Sequence, residues 1–267
     1  MSENKDVGSP VRVIAHRGSN EDEPEHSLAA YLRAIAEGAD AVECDVRLAA
    51  DGTLVCVHDR RVDRTSNGRG AVSGMGLADL RGLEFSHDGR DWRAKSGESD
   101  PHRSQVLTLR ELLEAVTSAS DRVGFAIETK HPTRYGAHVE QALIETLREF
   151  DLHRAPERVQ VMSFSWLAVQ RMRRLMPELP KVYLVERLLP GIWQGRVPEG
   201  TDAVGVSVQT LYRDPGYAER VQARGSAMQV WTVDAAPDVQ LAVDLGAEAV
   251  ISNRPGAARR AIAAMAG

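Results

Sequence analysis

One pattern constrains this chain more than any other. Short apolar runs rich in β-branched residues, at 11–15, 41–48, 53–58, 123–128, 159–164, 182–185, 203–208, 228–233 and 249–251, alternate with amphipathic stretches at 27–37, 109–118, 136–150, 166–176, 215–224 and 237–245. Strands separated by helical patterns of this length are the mark of βαβ units in a parallel sheet. The runs are nearly continuous in apolar character, as strands covered on both faces are. Eight or nine of them over 267 residues fit a closed (β/α)8 TIM barrel better than a doubly wound sheet. No G-x-G-x-x-G follows the first run, which counts against a dinucleotide-binding fold. The expectation is one α/β domain spanning 1–267.

Two places break the repeat. The second and third runs are joined by a short turn containing Asp51-Gly52, a strong hairpin signal. It leaves no room for a crossover helix, so this pair is expected to be antiparallel. Residues 60–105, rich in Gly, Asp, Arg and Ser, show little periodicity and read as a small inserted lid after the third strand, with a short helix near 77–83.

Composition narrows the function classes. Apolar residues make up 43% and charged residues 27%, with a net charge of -5 at pH 7. That balance belongs to a globular protein with a sizeable core and offers no basic field for nucleic acid. An anionic small-molecule substrate would have to be drawn in by local cations. The first ten residues lack the apolar core of a signal peptide, and no run reaches the roughly 18 apolar residues of a membrane span. Cys44 and Cys56 sit inside apolar runs, where buried free thiols are expected, although a bridge is conceivable if their strands pair. The chain reads as a reduced, cytoplasmic enzyme without a stable membrane anchor; its oligomeric state is not legible.

In barrels, chemistry is done at the carboxyl ends of the strands. Those ends carry His16-Arg17-Gly18, Glu43 and Asp45, His58-Asp59, Glu128 and Lys130, Trp231, and Asn253-Arg254-Pro255. With a side-chain period of two, Glu43, Asp45 and Arg47 share one face of their strand. A turn centred on Asp51-Gly52 sets His58 opposite Asp45; a loop two residues longer sets it opposite Glu43. Either register puts the histidine on the carboxylate face. Buried unpaired carboxylates cost several kcal/mol, so something positive must meet Glu43, Asp45 and Glu128. Arg17, Arg47 or Lys130 could form an ion-pair network there, but three converging carboxylates favour a divalent cation, and all-oxygen ligation favours Mg²⁺ or Ca²⁺ over zinc. Such an ion with Arg17, Lys130 and two histidines suits a phosphate ester, His16 and His58 dividing the acid and base roles. A Schiff-base aldolase using Lys130 is disfavoured because neighbouring anions would hold the amine protonated. A non-catalytic binding protein on the same fold is disfavoured because every candidate position is filled.

The ordered set His16-Arg17-Gly18, Pro24-Glu25, Glu43-x-Asp45-Val46, Asp51-Gly52, His58-Asp59, Asp63-Arg64-Thr65-Ser66-Asn67-Gly68-x-Gly70, Glu128-Thr129-Lys130, Ser163-Phe164, Trp231-Thr232-Val233 and Ser252-Asn253-Arg254-Pro255 resembles the glycerophosphodiester phosphodiesterase family. The resemblance implies a (β/α)8 barrel that hydrolyses glycerophosphodiesters to sn-glycerol 3-phosphate and an alcohol. It puts metal ligands at Glu43, Asp45 and Glu128, acid/base histidines at His16 and His58, a phosphate-contacting arginine at Arg17 and an active-site lysine at Lys130. Trp231 would wall the pocket, or else simply pack in the core. The same site could instead serve lysophospholipids, phosphoinositides or a sugar phosphodiester. One departure stands out: the family usually reads Pro-Glu-Asn-Thr where this chain has Pro24-Glu25-His26-Ser27. Ser27 can cap the following helix as threonine would, whereas His26 is larger and titratable and is expected to reshape the loop over the site.

Overall fold

A computed structural model describes residues 11–86, 100–186 and 190–265. The strands are β1 (Arg12–Ala15), β2 (Ala41–Leu48), β3 (Leu54–Cys56), β4 (Gly124–Thr129), β5 (Val159–Ser163), β6 (Lys181–Val185), β7 (Ala203–Ser207), β8 (Ala227–Trp231) and β9 (Ala249–Ser252). They lie in the order β1-β9-β8-β7-β6-β5-β4-β2-β3, and β1 also pairs with β2, through Ile14↔Ala41 and Ala15↔Val42. Eight parallel strands therefore close into a barrel. β3 hangs outside the ring, antiparallel to the far end of β2.

Helices cover the outside: α1 (Leu28–Ala36), α2 (Leu77–Arg81), α3 (Pro101–Ser104), α4 (Leu109–Ala119), α5 (His138–Glu149), α6 (Trp166–Leu175), α7 (Pro190–Trp193), α8 (Val208–Arg213), α9 (Gly216–Gln222), α10 (Ala236–Asp244) and α11 (Pro255–Met265). Their starts follow from local chemistry. Ser27 caps α1 by accepting from the Ala30 amide, and Thr108 with Glu111 forms a reciprocal capping box on α4, satisfying amides that have no partner inside the helix. The reading of the sequence has no helix after the last strand. α11 is alanine-rich with two adjacent arginines, so its apolar face contrasts little with the rest.

Alternation along the strands divides the side chains. On β2, Val42, Cys44 and Val46 turn outward into the core shared with the helices. Ile14, Ala41, Ala126, Met162, Val182, Leu184, Ala203, Ala249 and Ile251 fill the barrel interior. At the amino ends of the strands the interior is closed by the reciprocal amide pair Gln160–Gln229, at 2.9 and 2.8 Å. Two residues beyond Ile14, Ala41 and Ala126 on their inward rows stand His16, Glu43 and Glu128, so on this side of the barrel the carboxyl ends become ionisable. Both cysteines are free and buried.

The hairpin register differs from both expected ones. Val46 pairs with Cys56 and Leu48 with Leu54, which extrapolates to His58 opposite Cys44, on the wrong face. β3 ends at Cys56, however, and after the Val57 amide bonds the Asp45 carbonyl at 3.0 Å the chain leaves the ladder. His58 reaches the site because the strand stops, not because of strand period. Arg47 is also reassigned: its guanidinium bonds the His58 carbonyl at 2.7 and 3.0 Å and so holds the histidine's backbone in place.

The short helix expected near 77–83 is α2. The apolar residues around it make a satellite core: Val62, Val72 and Leu80 are buried with Ala49, Val55, Val57 and Val106, and Met75, Leu77, Leu83 and Phe85 pack on them. Trp92, a further apolar residue of this excursion and so a candidate for a lipid-facing surface, lies outside the described residues.

Candidate active site

Three buried carboxylates converge at the carboxyl ends of β2 and β4. Asp45 pairs in register with Glu128, and Glu43 lies one inward position earlier. Glu43, Asp45 and Glu128 are 3%, 1% and 6% exposed, and one oxygen from each lies within 4.8 Å of the others. Two cations share this space. Lys130 Nζ is 2.9 Å from Asp45 Oδ1 and 2.8 Å from Glu128 Oε1, while Arg17 Nε is 3.2 Å from Asp45 Oδ2. The Arg17 amide donates to Glu43 Oε2 at 2.9 Å.

The ion-pair network and the carboxylate cluster are thus both present, and charge decides what they leave. Three acids face two bases. Burial would raise Asp45, but the charge of Lys130, the hydrogen bond from His26 and the charge of Arg17 outweigh it and hold this carboxyl well below its usual range. Its neighbours are left short. Burial and then the charge on Asp45 push Glu43 well above its usual range and Glu128 up to about 8. Two buried carboxyls that resist ionisation beside a third that is ionised form a site short of positive charge. A divalent cation held by oxygen donors fits it.

The histidines stand at two edges of this cluster. His16 follows β1; its Nδ1 is 2.7 Å from Asn253 Oδ1. Asn253 is itself set by Asp234, whose carboxylate accepts from the Asn253 side-chain amide at 2.7 Å. That contact orients the Asn253 oxygen toward His16, so Nδ1 carries the proton and Nε2 presents a lone pair. His58 Nδ1 is 2.7 Å from Asp59 Oδ1, which likewise leaves Nε2 free. Burial and then Arg17 lower His16 to about 3. His58 falls to about 4, by burial first and by Lys130 and Arg17 against the opposing pull of Asp45. Both rings are neutral at neutral pH.

His16, Arg17, Glu43, His58, Glu128 and Lys130 line one side of a cavity of about 130 Å³; Met162, Phe164, Leu184, Trp231 and Ile251 line the other. Trp231 meets Phe164 edge to face, centroids 5.6 Å apart, and Lys130 Nζ lies 5.8 Å from the Phe164 centroid. Of the residues singled out in the sequence, His16, Arg17, Glu43, His58, Glu128, Lys130 and Trp231 line this cavity and Asp45 meets Arg17 and Lys130 beside it, whereas Arg47, Asp59, Asn253, Arg254 and Pro255 do not line it. A larger cavity of about 780 Å³, lined by Arg12, Asp40, Arg158, Gln160, Gln229 and Glu248 among others, opens at the amino ends of the strands. That is the end where barrels keep stability, not catalysis.

A model of the Glycerophosphoryl diester phosphodiesterase family matches residues 16–257. The chain belongs to that family. It is 43% identical, over 94% of its length and 91% of the relative's, to a probable glycerophosphodiester phosphodiesterase 1 of Mycobacterium tuberculosis. A glycerophosphodiester phosphodiesterase of Bacillus subtilis is 30% identical over 92% of this chain and 85% of its own. Among solved structures, an Oleispira antarctica phosphodiesterase in complex with the product sn-glycerol-3-phosphate superposes with a TM-score of 0.80, at 26% identity, over 95% of this chain and 97% of that one.

The family's sequence pattern includes residues whose part only the coordinates reveal. Arg64, from the excursion after β3, bonds both oxygens of Glu25 at 2.7 and 2.9 Å and Asp59 Oδ2 at 2.6 Å. Glu25 in turn lies 3.3 Å from Arg17. A chain of alternating charge, His58–Asp59–Arg64–Glu25–Arg17, thereby ties the loop after β3 to the loop after β1. Burial would raise Glu25, but the hydrogen bonds from Arg64 and the charge of Arg17 lower it to about 2. Asp59 and Arg64 stand inside the family-like motifs of the sequence, but their contacts, and the part of Asp234, follow only from the fold.

Proposed function

We propose that the chain hydrolyses glycerophosphodiesters to sn-glycerol 3-phosphate and an alcohol, with Glu43, Asp45 and Glu128 as ligands of Mg²⁺ or Ca²⁺, Arg17 and Lys130 as phosphate-binding residues, His16 and His58 as base and acid, and Trp231 as a wall of the pocket. The enzyme is a phosphoric diester hydrolase. The observation that carries the residue roles is the convergence of three buried carboxylates on two cations and two histidines in a single small cavity. A bound divalent ion would add charge to stabilise the phosphoryl oxygens. Arg17 and Lys130 supply fixed charge to the same oxygens, in a site that need not reorganise as charge shifts.

Partner chemistry separates the two histidines. Nδ1 of His16 meets only a neutral amide, whose pull toward the charged ring is outweighed by burial and then the charge of Arg17, so Nε2 takes the proton of the nucleophile, either water or the adjacent substrate hydroxyl. Nδ1 of His58 is tied to a carboxylate, which favours the imidazolium, so Nε2 protonates the leaving alkoxide oxygen. Burial first, and then Lys130 and Arg17, keep His58 neutral in the free protein; an incoming phosphodiester anion offsets the part due to those two cations. For direct water attack the balance is one diester and one water to one monoester and one alcohol.

The small cavity suits a deacylated glycerophosphodiester better than a lysophospholipid. Among the described residues of the excursion, Val62, Val72 and Leu80 are buried in a satellite core and Met75, Leu77, Leu83 and Phe85 pack against it partly buried, which leaves little apolar surface there for a lipid chain. We assign the described part of this excursion, within a single domain, as a side wall of the site tethered through Arg64. Among the described residues no helix is long and apolar enough to cross a membrane. The test is a panel of glycerophosphocholine, glycerophosphoethanolamine, glycerophosphoinositol and lysophosphatidylcholine, with release of glycerol 3-phosphate measured after chelation and after return of Mg²⁺ or Ca²⁺. Turnover that needs the ion and prefers the deacylated diesters is expected. Turnover indifferent to chelator, or confined to the lysolipid, would sink the proposal.

A further inference from the structure

His26 stands where the family usually has asparagine, and its ring is turned inward. It lies behind the carboxylates, 5% exposed, with both ring nitrogens occupied. Nδ1 is 2.8 Å from the Tyr31 hydroxyl and Nε2 is 2.9 Å from Asp45 Oδ2. Its backbone has φ 59°, a left-handed conformation that asparagine adopts with less strain than a bulkier side chain. The chain keeps a strained histidine where an easier residue is available, and strain held in place beside a site argues for a use there.

The geometry shows what that use is. Asp45 is an acceptor only, so Nε2 carries a proton and donates it to Oδ2; in the neutral ring Nδ1 then accepts from Tyr31. Tyr31 can fill that part because it is fully buried on α1. Oδ1, the other oxygen of Asp45, is left on the side where Glu128 lies, since Lys130 Nζ touches both. We infer that His26, braced by Tyr31, is a positioning residue for the cation site, fixing one oxygen of Asp45 so that the other faces Glu43 and Glu128. This rests on the proposed cation site and adds to it a determinant of affinity supplied from α1 and the loop before it. Partners that orient metal ligands commonly change metal affinity 10- to 100-fold when removed.

Two substitutions separate the two ring nitrogens. The amide nitrogen of asparagine sits about where Nδ1 does, and that of glutamine about where Nε2 does. His26→Asn therefore keeps the reach to Tyr31, suits the backbone and loses Asp45; His26→Gln loses Tyr31 and keeps a donor to Asp45. Chelator-stripped protein is titrated calorimetrically with Mg²⁺ and with Ca²⁺, and its metal-free Tm is measured. For His26→Asn we expect a Tm no lower than the parent's and a cation Kd weaker by about 10-fold, with kcat recovered at saturating cation. His26→Gln is expected to bind the ion close to the parent value, and Tyr31→Phe to fall between the two. A purely structural role would move Tm and leave Kd alone. Equal Kd in parent and His26→Asn, or the same loss in Asn and Gln variants, overturns the inference. If the His26 variants do not fold, an unchanged Kd in Tyr31→Phe overturns it. A parent that binds neither ion fails the cation reading itself, before any variant is made.

Discussion

Single residues in this site are set by what lies behind them. His16 and His58 each have one ring nitrogen committed, to Asn253 and to Asp59, so the other points in a defined direction with a defined proton state. Replacing Asp59 with asparagine removes the charge that favours imidazolium at His58. We expect kcat to fall by about 10²-fold, the usual scale for impaired acid catalysis, with the cation Kd unchanged by calorimetry; loss of both together would mean the site has collapsed. Glu25 gives a prediction in stability. Its carboxyl is lowered to about 2 by Arg64 and Arg17 against burial, so its contribution is complete above the usual value near 4.5 and disappears as pH falls toward 2. Glu25→Gln should cost about 2 kcal/mol at pH 7, discounted from a fully buried pair because Glu25 retains some exposure. In chelator, urea denaturation should show that gap narrowing steadily from pH 5 to pH 3; a gap independent of pH would show that the charge is not what matters.

Elements explain why some of this was legible in the sequence and some was not. Alternating apolar runs and helical stretches revealed the barrel because burial on both faces leaves a composition that can be read without coordinates. Inward-facing Glu43 and Asp45 were legible for the same reason: charges in an otherwise apolar strand need an explanation. The hairpin register was not legible, since Asp51-Gly52 marks a turn without fixing the count, and the ladder is one residue off both expected alignments. Nor were Arg64, Asp234 and Tyr31, whose significance depends on loops that meet only after the ring closes. Gly18 links sequence motif to element packing. Its φ is 85°, and an added Cβ would lie 2.7 Å from the carbonyl carbon and Cβ of Ala30 on α1. Gly18→Ala must therefore push α1 away from the loop that carries His16 and Arg17. A loss of about 2 kcal/mol or more is expected from backbone strain plus overpacking, read as a lowered Tm; an unshifted Tm would refute this account of the third residue of the His-Arg-Gly motif.

At the scale of the whole molecule, the charge shortage at the top of the barrel is a reservoir of stability that a cation can release. A ligand that binds only the folded state at 100 times its Kd adds about 2.7 kcal/mol, and each kcal/mol moves the Tm of a chain of this size by roughly 2–4 °C. Mg²⁺ or Ca²⁺ should thus raise Tm by about 5–10 °C, and the rise should vanish in Glu43→Gln/Glu128→Gln. A rise that persists in that double variant would place the ion elsewhere.

The seam of the barrel carries a consequence for how the enzyme comes into being. β1 lies between β2 and β9, and His16 takes both its backbone partner, Ser252, and its ring partner, Asn253, from the far end of the sequence. As the chain leaves the ribosome, the three acids are available to one another once residue 128 has emerged. His16, the proposed proton acceptor, gains its Asn253 partner only when the ninth strand docks some 120 residues later. The carboxylates can therefore gather early, whereas the ring that we propose to activate the nucleophile is aimed only when the last strand has closed the seam.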